Sequence, residues 1–381
     1  MVADVRAGRG VALFDPHGDL VDRVLDLVPR RRINDVVLFD PSDIEHPVGM
    51  NVLQEAPAAH RPRVASGILG AFRKVFKEFW GPRLEHVFRN ALLALLEVRG
   101  STLLGVPRLF LEERFRESVL RQVQDPEVRR FWLVEYPSYG RNLAAEAAAP
   151  VLNKVGAVLT SPLLRGIVGQ ARTSFNCRKI MDDGGILLAN LAKGRVGEDA
   201  SAILGALLLS KLQLAAYGRA ELPPETRRPF HLYIDEAGSI ATAAFGELLA
   251  EARKFGLGVV LACQYLGQLD EPLRQAVLGN VGTTICFRLG AEDAEAIGKE
   301  FEPEITAHDL THLHRHQIAL RLSIRGVTSA AFTGITLPPH QNREGHAEKI
   351  RRVSRERYGT PPAAQELTLP SSHPQGSWPL A

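Results

Sequence analysis

The sequence predicts an α/β fold with a mainly parallel sheet, interrupted by an all-helical insertion. Three observations carry this. Short apolar runs recur at 10–14 (GVALF), 35–39 (DVVLF), 185–191 (GILLANL), 230–234 (FHLYI), 258–263 (GVVLAC), 283–289 (TTICFRL) and 317–324 (QIALRLSI). Most are continuous rather than alternating, as expected of strands covered on both faces. Helical patterns separate the later runs, AFGELLAEARKF at 244–255 and EDAEAIGKEF at 292–301, which is the alternation of a parallel sheet. Between about 58 and 175 the spacing changes to amphipathic helices with no clear strand, at 64–79, 83–98, 105–123 and 126–136.

These patterns divide the chain into four stretches. Residues 1–57 are the first part of the α/β domain and 58–175 the helical insertion. Residues 176–337 complete the α/β domain, and 338–381 are a basic segment, EKIRRVSRERYG at 348–359, followed by a Pro- and Ser-rich tail expected to be disordered. No internal repeat is visible. With 45% apolar and 23% charged residues the composition is that of a soluble globular protein. The net charge of +3 neither demands nor excludes a nucleic-acid partner, because a basic stripe can hide in a balanced total. Cys177, Cys263 and Cys286 stand in no metal spacing, which suits small buried thiols in a reducing cytosol. The opening residues are polar and charged, unlike a signal peptide. The most apolar stretch, 202–216, carries Lys211 and is too short to span a bilayer, so it reads as a buried core helix.

The chemistry gathers where the runs end. Asp15, Asp40, Asn190, Asp235 with Glu236, and Gln264 each follow an apolar run. In a parallel sheet all carboxyl ends share one edge, and open α/β sheets bind ligands there. Asp40 and Asn190 also suit plain turns. Two adjacent carboxylates leaving a buried strand repel each other and call for a cation or a catalytic task. FHLYIDEAG at 230–238 is thus a Walker B strand: Asp235 would hold Mg2+ through its water shell, and Glu236 would polarise an attacking water. Its usual companion, GxxxxGK[ST], has no match in the 381 residues. Arg253 either meets a phosphate or complements a helix C-terminus beside Lys254.

Together these motifs resemble the HerA/FtsK superfamily of hexameric DNA-pumping ATPases, closest to the conjugative coupling proteins of type IV secretion (TraG/TraD-like). The matching pieces are AGRGVALFDPHGDLVD (7–22), VVLFDPSD (36–43), PVGMNVL (47–53), GILLANLAKGRVGEDAS (185–201), LYIDEAGSI (232–240), LLAEARKFGLGVVLACQYLGQL (248–269) and GNVGTTICFRLGAEDA (279–294), in the expected order. The resemblance implies a RecA-like P-loop NTPase sheet, with ATP and Mg2+ as cofactors in the intact protein. It makes Asp235 and Glu236 the Walker B pair, Arg253 the arginine finger for the neighbouring subunit, and Gln264 the sensor. Asp15, His17 and Asp19 of DPHGD, with Lys193 and Arg195, are further candidates at the nucleotide edge, the last two contacting a neighbour or DNA. The helical insertion corresponds to the all-α domain facing DNA and the relaxosome. DNA, a homo-hexamer or a ring with full-length relatives, and type IV secretion components are the implied partners. The implied location is the cytoplasm, at the inner-membrane face if an anchor lies upstream.

The departure from the family is the missing Walker A segment. By the resemblance, residues 1–9 are the end of the P-loop helix, so the first strand and the phosphate cradle are absent and this polypeptide alone is expected to be inactive. Two alternatives remain: a HerA-type DNA-repair translocase, against which the insertion argues, and a catalytically dead DNA-binding or interaction module that joins rings of active relatives. Other features are set aside. HDLTHLHRH at 308–316 fits no common zinc spacing, His17 also reads as a turn residue, and Arg30, Arg31 and Arg32 read as a solvated surface run.

Overall fold

The computed structural model of the chain describes residues 1–54, 56–339 and 343–361. Five strands form a parallel sheet: β1 (Gly10–Asp15), β2 (Val36–Phe39), β3 (Ile186–Asn190), β4 (Phe230–Ile234) and β5 (Leu257–Leu261). Their order is β2-β3-β1-β4-β5. The fold class is therefore the one the apolar runs predict, and the two core clusters explain why those runs are unbroken. Val11, Leu13, Leu38 and Leu188 face one cluster with Val21, Leu25 and Ile350. Ala12, Phe14, Phe39 and Ala189 face the other, with Phe72, Phe88 and Leu208. Neither face of β1, β2 or β3 meets water, so no polar residue alternates within them, whereas β4 carries the half-buried His231 and Tyr233.

The last two predicted strands lie elsewhere. β6 (Thr284–Cys286) and β7 (Gln317–Arg321) pair antiparallel. A two-residue pair, β8 (Ser323–Ile324) and β9 (Val327–Thr328), follows. β10 (Phe332–Ile335) then returns on β7, giving the order β10-β7-β6. Among the described residues nothing pairs with the outer edge of β5 or the free edge of β6. Val260 on β5 is 48% exposed and Ile285 on β6 is 53% exposed. The main sheet is thus closed over its centre and open at β5.

The insertion is helical among the described residues from Ala58 to Val168, including the helices Arg61–Val75, Pro82–Leu96 and Gly140–Thr160. It does not form a core of its own. Arg61–Val75 lies along the long helix Glu198–Gly218 of the α/β domain, and one hydrophobic cluster runs from Phe88 through Phe72 to Leu208 and Phe14. The approach is close at Gly67, where a Cβ would come within 1.9 Å of Ser210 Oγ. Where the chain passes into and out of the insertion, buried Asn51 ties the two crossings together. It donates to Ala171 O and Ser101 O, both at 2.9 Å, and accepts from Leu53 N. Glu198–Gly218 contains the apolar stretch read as a core helix. It is longer than that stretch, and long and apolar enough to cross a membrane, but it is packed between the insertion and the sheet.

Two expectations change: Cys263 is exposed where a buried thiol was expected, and the arginine run is not wholly at the surface. Of the arginine run, Arg32 is buried rather than solvated, and its guanidinium donates to Val5 O, Arg9 O and Gly184 O and pairs with Asp35. One planar guanidinium thus serves three backbone carbonyls, that of Val5 in the N-terminal helix and those of Arg9 and Gly184 just before β1 and β3. The basic segment is a helix, Ala347–Tyr358, laid against β2. Its buried Ser354 Oγ accepts from Leu38 N at 2.8 Å and so covers that sheet edge. The expectation of a disordered tail falls on residues 362–381, outside the described residues.

The N-terminal helix Val2–Arg6 carries the most shifted acid. Burial would push the Asp4 carboxyl up, but hydrogen bonds from Tyr233 and Arg9 and the Met1 ammonium outweigh it and pull it down to about 2. A depressed carboxyl adds stability above its ordinary value of 3.8 and loses it as pH falls toward about 2. Asp4→Asn is therefore expected to lower the urea midpoint at neutral pH and to match the parent near pH 2. An equal deficit at both pH values would sink the assignment.

Candidate active site

The parallel register brings the polar residues after each strand to one level. Asp15 pairs in register with Asn190, and Phe14 with Ile234, which sets Asp235 beside Asp15. Phe39 pairs with Ala189, which sets Asp40 beside Asn190. Ile234 pairs with Leu261, so Gln264 leaves the sheet near Glu236. The carboxyl edge inferred from the sequence is thus assembled as expected.

Glu236 is the centre of the edge. Its backbone is left-handed, φ 43° and ψ 54°, as it caps the short helix Ala237–Ile240. A residue with a Cβ pays roughly 1 kcal/mol for that conformation, and the side chain is held by three donors. Lys193 Nζ donates to Oε2 at 2.6 Å. His17 Nε2 donates to Oε1 at 2.7 Å, and Gln264 Nε2 to the same oxygen at 2.8 Å. The donors come from the loops after β3, β1 and β5, so a single carboxylate gathers three strand ends. The Lys193 hydrogen bond holds the Glu236 carboxyl below the usual range against its burial, with His17 helping. Asp235 goes the other way: burial raises it, and the Asp15 and Glu236 carboxylates add to the rise. Asp235 is thus raised mainly by burial, and its carboxylate is an oxygen ligand of the kind a hydrated Mg2+ takes.

The other candidates separate. Buried Asp15 accepts from His17 N and Val21 N, both at 2.9 Å, and so fixes the DPHGD turn against the helix Asp19–Leu25. Asp19 opens that helix and is exposed. Arg195 is exposed and only approaches Asp22, at 3.9 Å. Arg253 lies in the turn Ala252–Phe255 that precedes β5, at the amino ends of the strands. The length of β5 alone, at about 3.3 Å per residue, puts it well over 10 Å from the Glu236 edge. It is exposed and, unlike Lys254, which pairs with Glu251, makes no ion pair among the described residues. The sequence named every member of the Glu236 cluster but did not place Lys193 on Glu236. The only signal was a Lys two residues past the end of an apolar run.

Residues 194–309 match the family model for the type IV secretion-system coupling protein DNA-binding domain. Solved structures agree over most of the chain. A bacterial conjugative coupling protein, TrwBdeltaN70 in its unbound form, is similar at TM-score 0.63 and 15% identity, over 90% of this chain and 82% of that one. In fold, the chain is similar to the type IV secretion coupling proteins. The plasmid coupling protein TrwB in complex with ADP and Mg2+ gives TM-score 0.61 at 15% identity, with the same coverage. VirB4 of Thermoanaerobacter pseudethanolicus gives 0.57 at 14%, over 88% of this chain and 84% of that one. No curated protein matches the sequence. At these identities the solved structures speak to the RecA-like fold, and the family model adds sequence agreement along the stretch that contains Asp235, Glu236, Arg253 and Gln264.

Proposed function

We propose that these residues form most of a DNA-translocating ATPase subunit of the conjugative coupling type, working in a ring. The observation that carries this reading is the division of labour across the sheet: Asp235, Glu236 and Gln264 at one edge, and a free Arg253 at the other. An exposed arginine that cannot reach its own acids is available to a second copy, and a ring supplies one. Asp235 would hold Mg2+, which when bound neutralises phosphate charge. Glu236 is placed to accept a proton from water once it is free of its donors, and Gln264 to report on that carboxylate.

The triphosphate itself does not fit the residues present. No backbone cradle of the GxxxxGK[ST] type occurs in the sequence, and such cradles supply both the amides and the lysine that grip phosphate. The unpaired edge of β5, with Val260 half exposed, supports a reading in which a further strand and its phosphate loop complete the nucleotide site in the intact motor. DNA would meet the helical insertion and the ring's channel through salt-sensitive phosphate contacts.

The chain of residues 1–381 alone is therefore expected to show no Mg2+-dependent ATP turnover above that of Glu236→Gln, with or without DNA. Turnover that disappears in Glu236→Gln would overturn the view that the phosphate grip is missing. A second reading, a module that joins rings of active relatives without hydrolysing ATP, is favoured by one observation: Arg253 is intact and unpaired while the acids have no cradle beside them.

A further inference from the structure

Two of the three bonds to Glu236 belong to residues already placed, His17 in the DPHGD turn and Gln264 after β5. The third, from Lys193, is the shortest. The Lys193 backbone N–H donates to Pro16 O at 2.8 Å, and Leu191 N to Asp15 O at 2.9 Å. The loop that carries the lysine is thus hung on the same turn that carries His17. Its side chain is 26% exposed while Glu236 is 11% exposed, so the lysine reaches from solvent onto a mostly buried carboxylate. An ammonium, an imidazole and an amide then occupy most of the acceptor sites of one carboxylate. A carboxylate so engaged is a weaker base toward water than a free one.

We propose that Lys193 is a positioning residue, a clamp that holds the Glu236 carboxylate in place and occupied, and that an oxyanion arriving at the carboxyl edge draws the Lys193 ammonium away. Lys193 then serves twice, as a hold on the acid and as a cation for phosphate. The geometry allows this because only the lysine, among the three donors, presents an ammonium on a long flexible stem. His17 and Gln264 would keep the freed carboxylate aimed. The significance of the clamp rests on reading Glu236 as the base, but the contact and its release do not.

The test uses the full chain labelled with 15N-lysine and 15N-glutamate, at one pH and without nucleotide. An ammonium held in an ion pair exchanges slowly enough to be observed. The Lys193 ammonium resonance, identified by its loss in Lys193→Met, is expected to be visible and to vanish in Glu236→Gln. Inorganic pyrophosphate should weaken that resonance and move the Glu236 backbone amide. Lys193→Arg should retain the amide movement and Lys193→Met should lose it, a split that a lysine merely pinning its loop would not give. A resonance unaffected by Glu236→Gln overturns the clamp. A visible clamp that ignores millimolar pyrophosphate overturns the release. A clamp that behaves as proposed, in a chain that neither binds DNA nor stimulates a motor, refutes the functional reading and leaves the clamp standing.

Discussion

Mixed with a P-loop-bearing coupling ATPase, this chain is expected to raise the partner's ATP turnover, and Arg253→Ala is expected to abolish the gain. Arg253 sits before β5, at the amino ends of the strands, whereas the acids sit after β4, at the carboxyl ends. In a ring of like subunits, one subunit's amino edge can face the next subunit's carboxyl edge. A guanidinium delivered there meets phosphate charge with a fork of donors. Supplying such a group in trans is worth about 10³–10⁵ in turnover in well-studied systems. The low end, about a thousandfold per completed site, is expected, diluted by the fraction of mixed interfaces. Lys254→Ala is the control, because Lys254 is engaged with Glu251 and should leave the stimulation intact. If mixing changes nothing, or if Arg253→Ala stimulates as well as the parent, the trans role is wrong.

The second large effect concerns stability. Arg219 is fully buried at the end of the long helix. It donates to Phe255 O at 2.8 Å and Arg228 O at 2.5 Å, and its Nε lies 3.0 Å from Asp182 Oδ1 without the alignment of a hydrogen bond. It therefore joins the helix to the segments that lead into β4 and β5. Arg219→Met keeps the bulk but leaves two carbonyls without donors. At roughly 1–3 kcal/mol for each buried unpaired group, a loss of about 3 kcal/mol is expected. Asp182→Ala should cost at least as much, since it strands a buried guanidinium with no counter-charge. Urea unfolding decides it: a loss under about 1 kcal/mol for both variants would mean the arginine is only tolerated there.

Much of this was legible because the chemistry follows the strands. FHLYI became β4 residue for residue, and the polar residues after five runs came to one level because a parallel register leaves them no alternative. What could not be read were facts that depend on distance in space. Lys193 is 43 residues before Glu236, and nothing local announces their contact. The side of the sheet on which Arg253 lies follows only from where its turn falls relative to β5. Arg32 looked like part of a surface run because sequence shows a guanidinium's charge and not the carbonyls waiting for it. The break between β5 and β6 was invisible for a similar reason, since TTICFRL has the composition of a sheet strand whether or not a neighbour lies beside it.

The helical insertion and the sheet share one hydrophobic cluster and are cross-tied at Asn51. Mechanically, that makes the α/β domain and the helical cap a single stiff lever rather than two parts on a hinge. Any displacement produced at the ends of β1 and β4 would reach the far helices with little slack, because close-packed interiors yield little under load. In a ring that pulls a polymer, each subunit would then pivot against its neighbours, and the compliance would lie in the contacts between subunits.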